Sequence, residues 1–190
     1  GYSGARMQSI ANRAGINKAL LHYYYKSKDA LFQIIMKRAF NTFMPEVVRV
    51  FNEDLDIFTT IEIFTATYIV SFINNPRIPG FITQEINHNP DRLLDLIRSS
   101  GVDTGSVKQK ISKAVEEGHI IAIQPEQLMV NIISLCLFPF VAKPIVTGLI
   151  LEGDNNAFDR LINTRKKEVA QFIINAIKRE KIQENSNQPC

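Results

Sequence analysis

Cysteine and histidine are scarce in this sequence, and their scarcity excludes a good deal of chemistry. Among 190 residues there are two cysteines, Cys136 in an apolar run and Cys190 at the chain's end, and three histidines, His22, His88 and His119. Two cysteines so placed make no disulfide framework, and neither has a metal-like partner nearby, which reads as a reducing, cytoplasmic setting. The histidines lie far apart and lack acidic or cysteine companions at ligand spacing, so no metal, cofactor or catalytic set is expected. His119, after Glu116-Glu117-Gly118, reads as a helix-end residue favoured beside C-terminal carbonyls. Asp103-Thr-Gly105 matches the tripeptide of aspartic proteases, but three residues match by chance and that chemistry belongs to a β-rich fold. A glycine-rich phosphate loop is also lacking. The chain does not read as an enzyme.

Long apolar runs are missing too. Asn131, Lys143 and several prolines interrupt the longest one before the ~20 residues of a membrane span. The first residues carry no signal-peptide pattern. No segment alternates with period two, no internal repeat occurs, and the many isoleucines fall in runs too long and too helically spaced for strands. Apolar content of 45% is ample for a core in one or two domains. The expectation is an all-α chain.

What is present first is a basic head. Residues 1–40 hold Arg6, Arg13, Lys18, Lys26, Lys28, Lys37 and Arg38 against Asp29 alone, a charge of +6, so the other 150 residues carry −3. A basic head on a mildly acidic body is the footprint of a DNA-binding module attached to something else. A solvated basic face explains the sum, but not its coincidence with the motif found there.

That motif runs from Met7 to Tyr25 and reads as two short helices joined by a tight turn at Gly15. Ile10, Ala11 and Ala14 give the first helix a small apolar face. Asn17 is placed to cap the second helix. There Leu20, Leu21 and Tyr24 or Tyr25 are expected inward, leaving Lys18, Ala19, His22 and Tyr23 outside. Helix-turn-helix is also a generic packing unit, but a helix that presents Lys, a small residue, His and Tyr suits a nucleic-acid groove.

The stretch resembles the signature of the TetR family of bacterial transcription regulators, I-A-x-x-A-G-V-S-x-x-x-L-Y-x-Y-F-x-S-K-x-x-L. The matching residues are Ile10, Ala11, Ala14, Gly15, Ile16, Asn17, Leu21, Tyr24, Ser27, Lys28 and Leu31, with Gly1-Tyr2 ahead of them. The match covers roughly the first forty residues; beyond them only helical character and length agree. His22 and Tyr25 stand where the family usually has Tyr and Phe, which changes detail and not class. The usual Thr/Ser before the first helix is replaced by Ala5-Arg6, which shifts the expected cap to Ser3. Family members carry a further helix ahead of this point, so the natural protein is expected to be longer than Gly1 onwards.

The resemblance implies a helix-turn-helix head over 1–40, a helical effector-binding and dimerisation domain over 41–182, and a flexible tail over 183–190. It implies a homodimeric, ligand-responsive regulator, a repressor, on a palindromic operator in double-stranded DNA. Lys18 and Ala19 are expected at base edges, with Gln8 and Asn17 as lesser candidates. Arg6, His22, Tyr23, Tyr24 and Lys28 are expected to clasp phosphates. The alternative is a dimeric small-molecule-binding or protein-interaction module whose head has lost DNA affinity.

Behind the head, Ser27 is expected to cap a helix with apolar residues at 31, 34, 35, 39 and 43, bent or restarted at Pro45 and running to about Phe51. Helices are then expected over 57–73, 81–88, 91–98 and 107–117. Pro125 suits a helix start, and the all-round apolar run Leu128 to Leu137 implies full burial. Pro139 and Pro144 should kink or split the chain beyond that run. A last amphipathic helix is expected over 158–179, with Phe158, Leu161, Ile162, Val169, Phe172, Ile173, Ala176 and Ile177 at helical spacing. This body has more apolar surface than one small core needs, so part should meet a partner or line a cavity. By position in the family, residues 126–150 and 158–179 would dimerise. Thr65, Tyr68, Phe72, Gln84, His88 and Asn131 are candidate pocket groups for an unknown, largely apolar effector.

Overall fold

The structure, a computed structural model, describes residues 6–179. The expected cap at Ser3, the expected tail over 183–190 and Cys190 lie outside them. Two cores of unequal size share one long helix. Helix α1 (Met7–Ala14) ends at Gly15, whose φ of 66° lets Gly15 and Ile16 return their N–H groups to the carbonyls of Asn12 and Ala11. Helix α2 (Lys18–Tyr25) starts at Asn17, whose side chain accepts from the Ala19 N–H at 2.8 Å. Ala11, Leu21 and Leu31 form the small head core, with Met7, Ile10 and Tyr25 against it.

Ser27 caps α3 (Lys28–Asn52), accepting from the Ala30 N–H at 3.0 Å. This helix runs through Pro45 without ending. Its first turn joins the head core through Leu31, while Met36, Phe40, Met44, Val47 and Val50 enter the body core. The expected inward set is corrected here: Ile34 and Ile35 are half exposed. The buried face follows 36, 40, 44 and 47, a row of i+4 and i+3 steps that meets the body.

Helix α4 (Ile57–Asn74) is the centre of the body and packs on α3 and on the last helix, α10 (Asn155–Ile177). Between them come α5 (Ile78–His88), α6 (Pro90–Ser99), α7 (Thr104–Glu116) and α8 (Pro125–Val141). A short α9 (Lys143–Ile145) and a π-turn (Val146–Ile150) come next at a 67° bend, where the prolines were expected to split the chain. Asp103, in the protease-like tripeptide, is the cap of α7, accepting from the Gly105 N–H and the Ser106 hydroxyl. The Ile121 N–H donates to the Ile177 carbonyl at 2.8 Å, which ties the α7–α8 linker to the end of α10. Apart from this link at Ile120 and Lys178, the described residues form no β-pairing.

Two expectations about burial are overturned, in α8 and α10. At 18 residues α4 is long and apolar enough to cross a membrane, though it stays short of the ~20 residues looked for above. It is apolar because it packs between α3, α7, α8 and α10, and a helix surrounded on most sides needs no polar face. Helix α8 buries Leu128, Ile132, Cys136 and Pro139, yet Val130, Ile133 and Phe138 are exposed. Phe172 of α10, expected inward, is 66% exposed while Ile173 and Ile174 are buried. Together with Leu149 and Ile150 these side chains leave the α8–α10 end of the body with a broad uncovered apolar surface.

Candidate nucleic-acid interface and internal cavity

Inward positions in α2 belong to Leu21 and Tyr25, one helical turn apart. That register corrects the expectation for Leu20, which is 46% exposed, and sends Tyr24 outward beside Tyr23. The solvent-facing surface therefore carries Lys18, Ala19, Leu20, His22, Tyr23 and Tyr24, with the two tyrosine rings edge to face at 5.3 Å. Leu20 is the member that sequence reasoning missed, although the Leu21–Tyr25 spacing marks the inner face. An exposed leucine beside Ala19 is suited to a thymine methyl group.

The remaining head residues surround this face. Arg6 is exposed just before α1. Gln8 is exposed and donates to the Asn12 side chain at 2.8 Å. The Asn17 side chain is engaged as the cap of α2, which limits what it can offer a base. His22 Nδ1 lies 3.2 Å from the Lys26 carbonyl, the contact of an Nδ1–H donor. Lys28, at the start of α3, is half-buried. Lys26 has φ 57°, a conformation that non-glycine side chains rarely adopt, and it turns the chain between α2 and α3.

In the body, α3 to α8 surround a cavity of about 370 Å³. Its walls are apolar and aromatic, including Phe40, Phe64, Ile82, Leu93, Ile97 and Leu128. Of the six candidate pocket groups, Tyr68 lines it. The other five lie elsewhere: Thr65 is buried and donates to the Glu62 carbonyl, and Phe72 is core, edge-on to Phe140. Gln84 is half-buried, with its carbonyl 2.9 Å from Nδ1 of the exposed His88, and Asn131 sits on the exposed side of α8. Burial lifts the Tyr68 phenol above its ordinary range, and the neighbouring Cys136 thiol is pushed up to about 12 by burial. Both stay protonated at neutral pH.

One ion-pair cluster spans the space between cavity and head. Arg92 of α6 donates to both carboxylate oxygens of Glu85 on α5, at 2.5 and 2.6 Å, and to Asp29 of α3 at 3.0 Å. Glu85 is fully buried, and its hydrogen bonds to Arg92 are the main cause that raises the guanidinium's pKa. Asp29 sits in the first turn of α3, two residues from Leu31 of the head core, while Leu93 beside Arg92 lines the cavity. Among the described residues no group of three or more His, Cys, Asp or Glu is placed to hold a metal.

The described residues thus form an all-helical fold with a helix-turn-helix head and a cavity-bearing helical body. Residues 1–35 match the family model for bacterial regulatory proteins of the tetR family. The regulator RutR of Escherichia coli strain K12 is 24% identical over 136 residues, covering 68% of this chain. RutR of Shigella flexneri matches equally. The chain spans about 61% of the length of these curated relatives. Among solved structures, SCO4942 of Streptomyces coelicolor has a TM-score of 0.65 at 18% identity, covering 95% of this chain and 90% of that one. A TetR/AcrR-family regulator of Thermobifida fusca has a TM-score of 0.61 at 13% identity, covering 90% and 87%; these likenesses speak to the fold. The head of this chain, residues 1–35, is thus similar to that of the bacterial regulatory proteins of the tetR family.

Proposed function

We propose that the protein is a cytoplasmic transcriptional repressor that binds a palindromic operator as a homodimer and releases it when a small molecule fills the body cavity. The observation that carries this reading is the outward face of α2, where Lys18, Ala19, Leu20 and Tyr23 stand exposed on a capped helix of the basic head. Lys18 and Ala19 would read base edges, with Gln8 and Asn17 secondary. Arg6, His22, Tyr23, Tyr24 and Lys28 would hold phosphates and fix register. The uncovered apolar surface of α8, the π-turn and α10 supports the dimer, and a two-fold axis calls for heads one DNA turn apart, roughly 34–36 Å.

The effector's lever is the Arg92 cluster. A ligand among Leu93, Ile97 and Ile82 presses on α5 and α6, and Arg92 holds both to the first turn of α3. A differential affinity of ~2–3 kcal/mol between the two head poses shifts occupancy ~30–150-fold. The test is fluorescence anisotropy on the DNA upstream of the protein's own gene and on random duplex, at two salt concentrations. Selective, salt-steep binding is expected. A dimer with no salt-dependent DNA binding would instead mark a ligand-binding or interaction module with a vestigial head.

A further inference from the structure

We infer that the body cavity selects an uncharged, mainly apolar ligand carrying a hydrogen-bond acceptor, and that the Tyr68 hydroxyl is the donor that recognises it. This rests on the reading of the cavity as a ligand site. Five polar residues line the walls: Thr60, Tyr68, Asp103, Thr104 and Lys110. Most of their polar atoms are engaged by the chain itself. The Thr60 hydroxyl donates to the Asp56 carbonyl at 2.8 Å. Lys110 Nζ lies 2.9 and 3.2 Å from the Glu53 and Leu55 carbonyls and 3.4 Å from the Thr60 hydroxyl, three acceptors for three N–H groups. Both carboxylate oxygens of Asp103 are occupied by the cap of α7. Thr104 is exposed at the rim.

Tyr68 differs from these four. Among the described residues none bonds to its hydroxyl, and the ring is half-buried on the cavity wall. Phe64 stacks on the ring at 5.3 Å and Phe72 meets it edge-on at 4.7 Å, so the hydroxyl is held in one place. Set in a mostly apolar wall with no acceptor from the chain, that hydroxyl has its donor available to a ligand acceptor. Because burial keeps the phenol protonated, it remains a donor and not an anion at neutral pH. A ligand carboxylate would find no uncommitted cation here, since the ammonium of Lys110 already has its three acceptors. Burying such a charge unpaired is expensive. A rigid donor in an apolar wall discriminates by the acceptor it meets.

The experiment displaces the neutral dye Nile red from the full chain with three near-isosteric probes: acetylnaphthalene, isopropylnaphthalene and naphthoate. Wild type should bind the ketone about fivefold more tightly than the hydrocarbon, the ratio of one ordinary neutral hydrogen bond, and naphthoate more weakly than either. Tyr68→Phe should bring the ketone-to-hydrocarbon ratio to about one while hydrocarbon affinity holds, which also shows that the variant folds. Naphthoate binding as tightly as the ketone, a ratio that survives in Tyr68→Phe, or no displacement by any probe overturns the inference. DNA anisotropy in parallel separates it from the regulator reading. Tyr68-dependent ketone binding with no effect on DNA leaves this inference standing and removes the regulator. Ligand-dependent DNA release with an unchanged ratio in Tyr68→Phe does the reverse.

Discussion

Arg165 of α10 donates from Nε and a terminal nitrogen, at 3.2 and 2.9 Å, to the carbonyl of Leu135. Four residues on stands Pro139, which has no N–H to return to that carbonyl. The guanidinium thus replaces the missing helical bond and joins α10 to α8 where α8 is weakest. Arg165→Met should cost about 1–3 kcal/mol by leaving the Leu135 carbonyl unsatisfied. Adding Pro139→Ala restores an N–H, so the double variant should recover most of the loss. Urea midpoints of the four proteins in the cycle measure this. Additive losses would show that Arg165 acts in some other way.

The Arg92 cluster makes a different forecast. Arg92→Met strands the Glu85 carboxylate in the core, and removing one partner of a buried pair costs about 3 kcal/mol. Replacing both with apolar residues of similar size, Glu85→Leu with Arg92→Met, should restore much of that stability. Asp29 is more exposed, so Asp29→Asn should change the urea midpoint little, by ~1 kcal/mol or less. If Asp29 transmits the effector's push, the same variant should blunt ligand-induced DNA release. Intact release in Asp29→Asn would locate the lever elsewhere.

In the head, Lys18→Ala should relax sequence preference while leaving binding to random duplex nearly unchanged. Lys28→Ala should weaken all duplexes alike and reduce the slope of log affinity against log salt by about 1. Anisotropy on specific and random DNA separates the two. Equal effects from both substitutions would sink the division into base-reading and phosphate-holding residues.

These features were legible in the sequence to different depths. Local ones were readable because their physics is local: the turn at Gly15, the caps at Asn17 and Ser27, and the break before Ile57 that supplies Asp56. Which residues would meet across the fold was not. Arg92 and Asp29 are 63 positions apart, Arg165 and Leu135 are 30, and nothing in helical spacing pairs them. The pocket set went astray for a related reason. Helix α4 is apolar nearly all round, so its periodicity does not say which side faces the cavity and which the packed core. Thr65 and Phe72 turned to packing, and Tyr68 to the cavity. An all-round apolar α8 likewise reads as full burial, whereas half of it is bare in the single chain.

That bare half yields a prediction about assembly. Val130, Phe138, Leu149 and Phe172 are all more than half exposed, a patch that a monomer seldom leaves to water. Phe172→Asp, on α10, should shift the sedimenting mass from about twice 21.5 kDa to about 21.5 kDa with helix content unchanged. On the proposal that two heads bind one operator, operator affinity should fall with it. A variant that still sediments as a dimer would place the interface on another face.

Acid should weaken the fold through its helix caps. Asp56, Asp103 and Asp154 cap α4, α7 and α10, and each is held below the usual carboxylate range. The main causes are the Thr59 hydroxyl for Asp56, the Ser106 hydroxyl for Asp103 and the Ala157 N–H for Asp154. A carboxylate whose folded pKa is depressed adds stability above its unfolded value, about 3.9, and loses it as pH falls through the folded one. The urea midpoint should therefore show no loss from these groups between pH 7 and 5 and should drop below about pH 4. Asp56→Ala should cost about 1 kcal/mol at pH 7, the typical value of a lost cap. Asp56→Asn keeps an acceptor that does not titrate, so its deficit against wild type at pH 7 should shrink as acid protonates Asp56. A deficit that stays constant from pH 7 to pH 3 would show that the ionised form of Asp56 does not hold the start of α4.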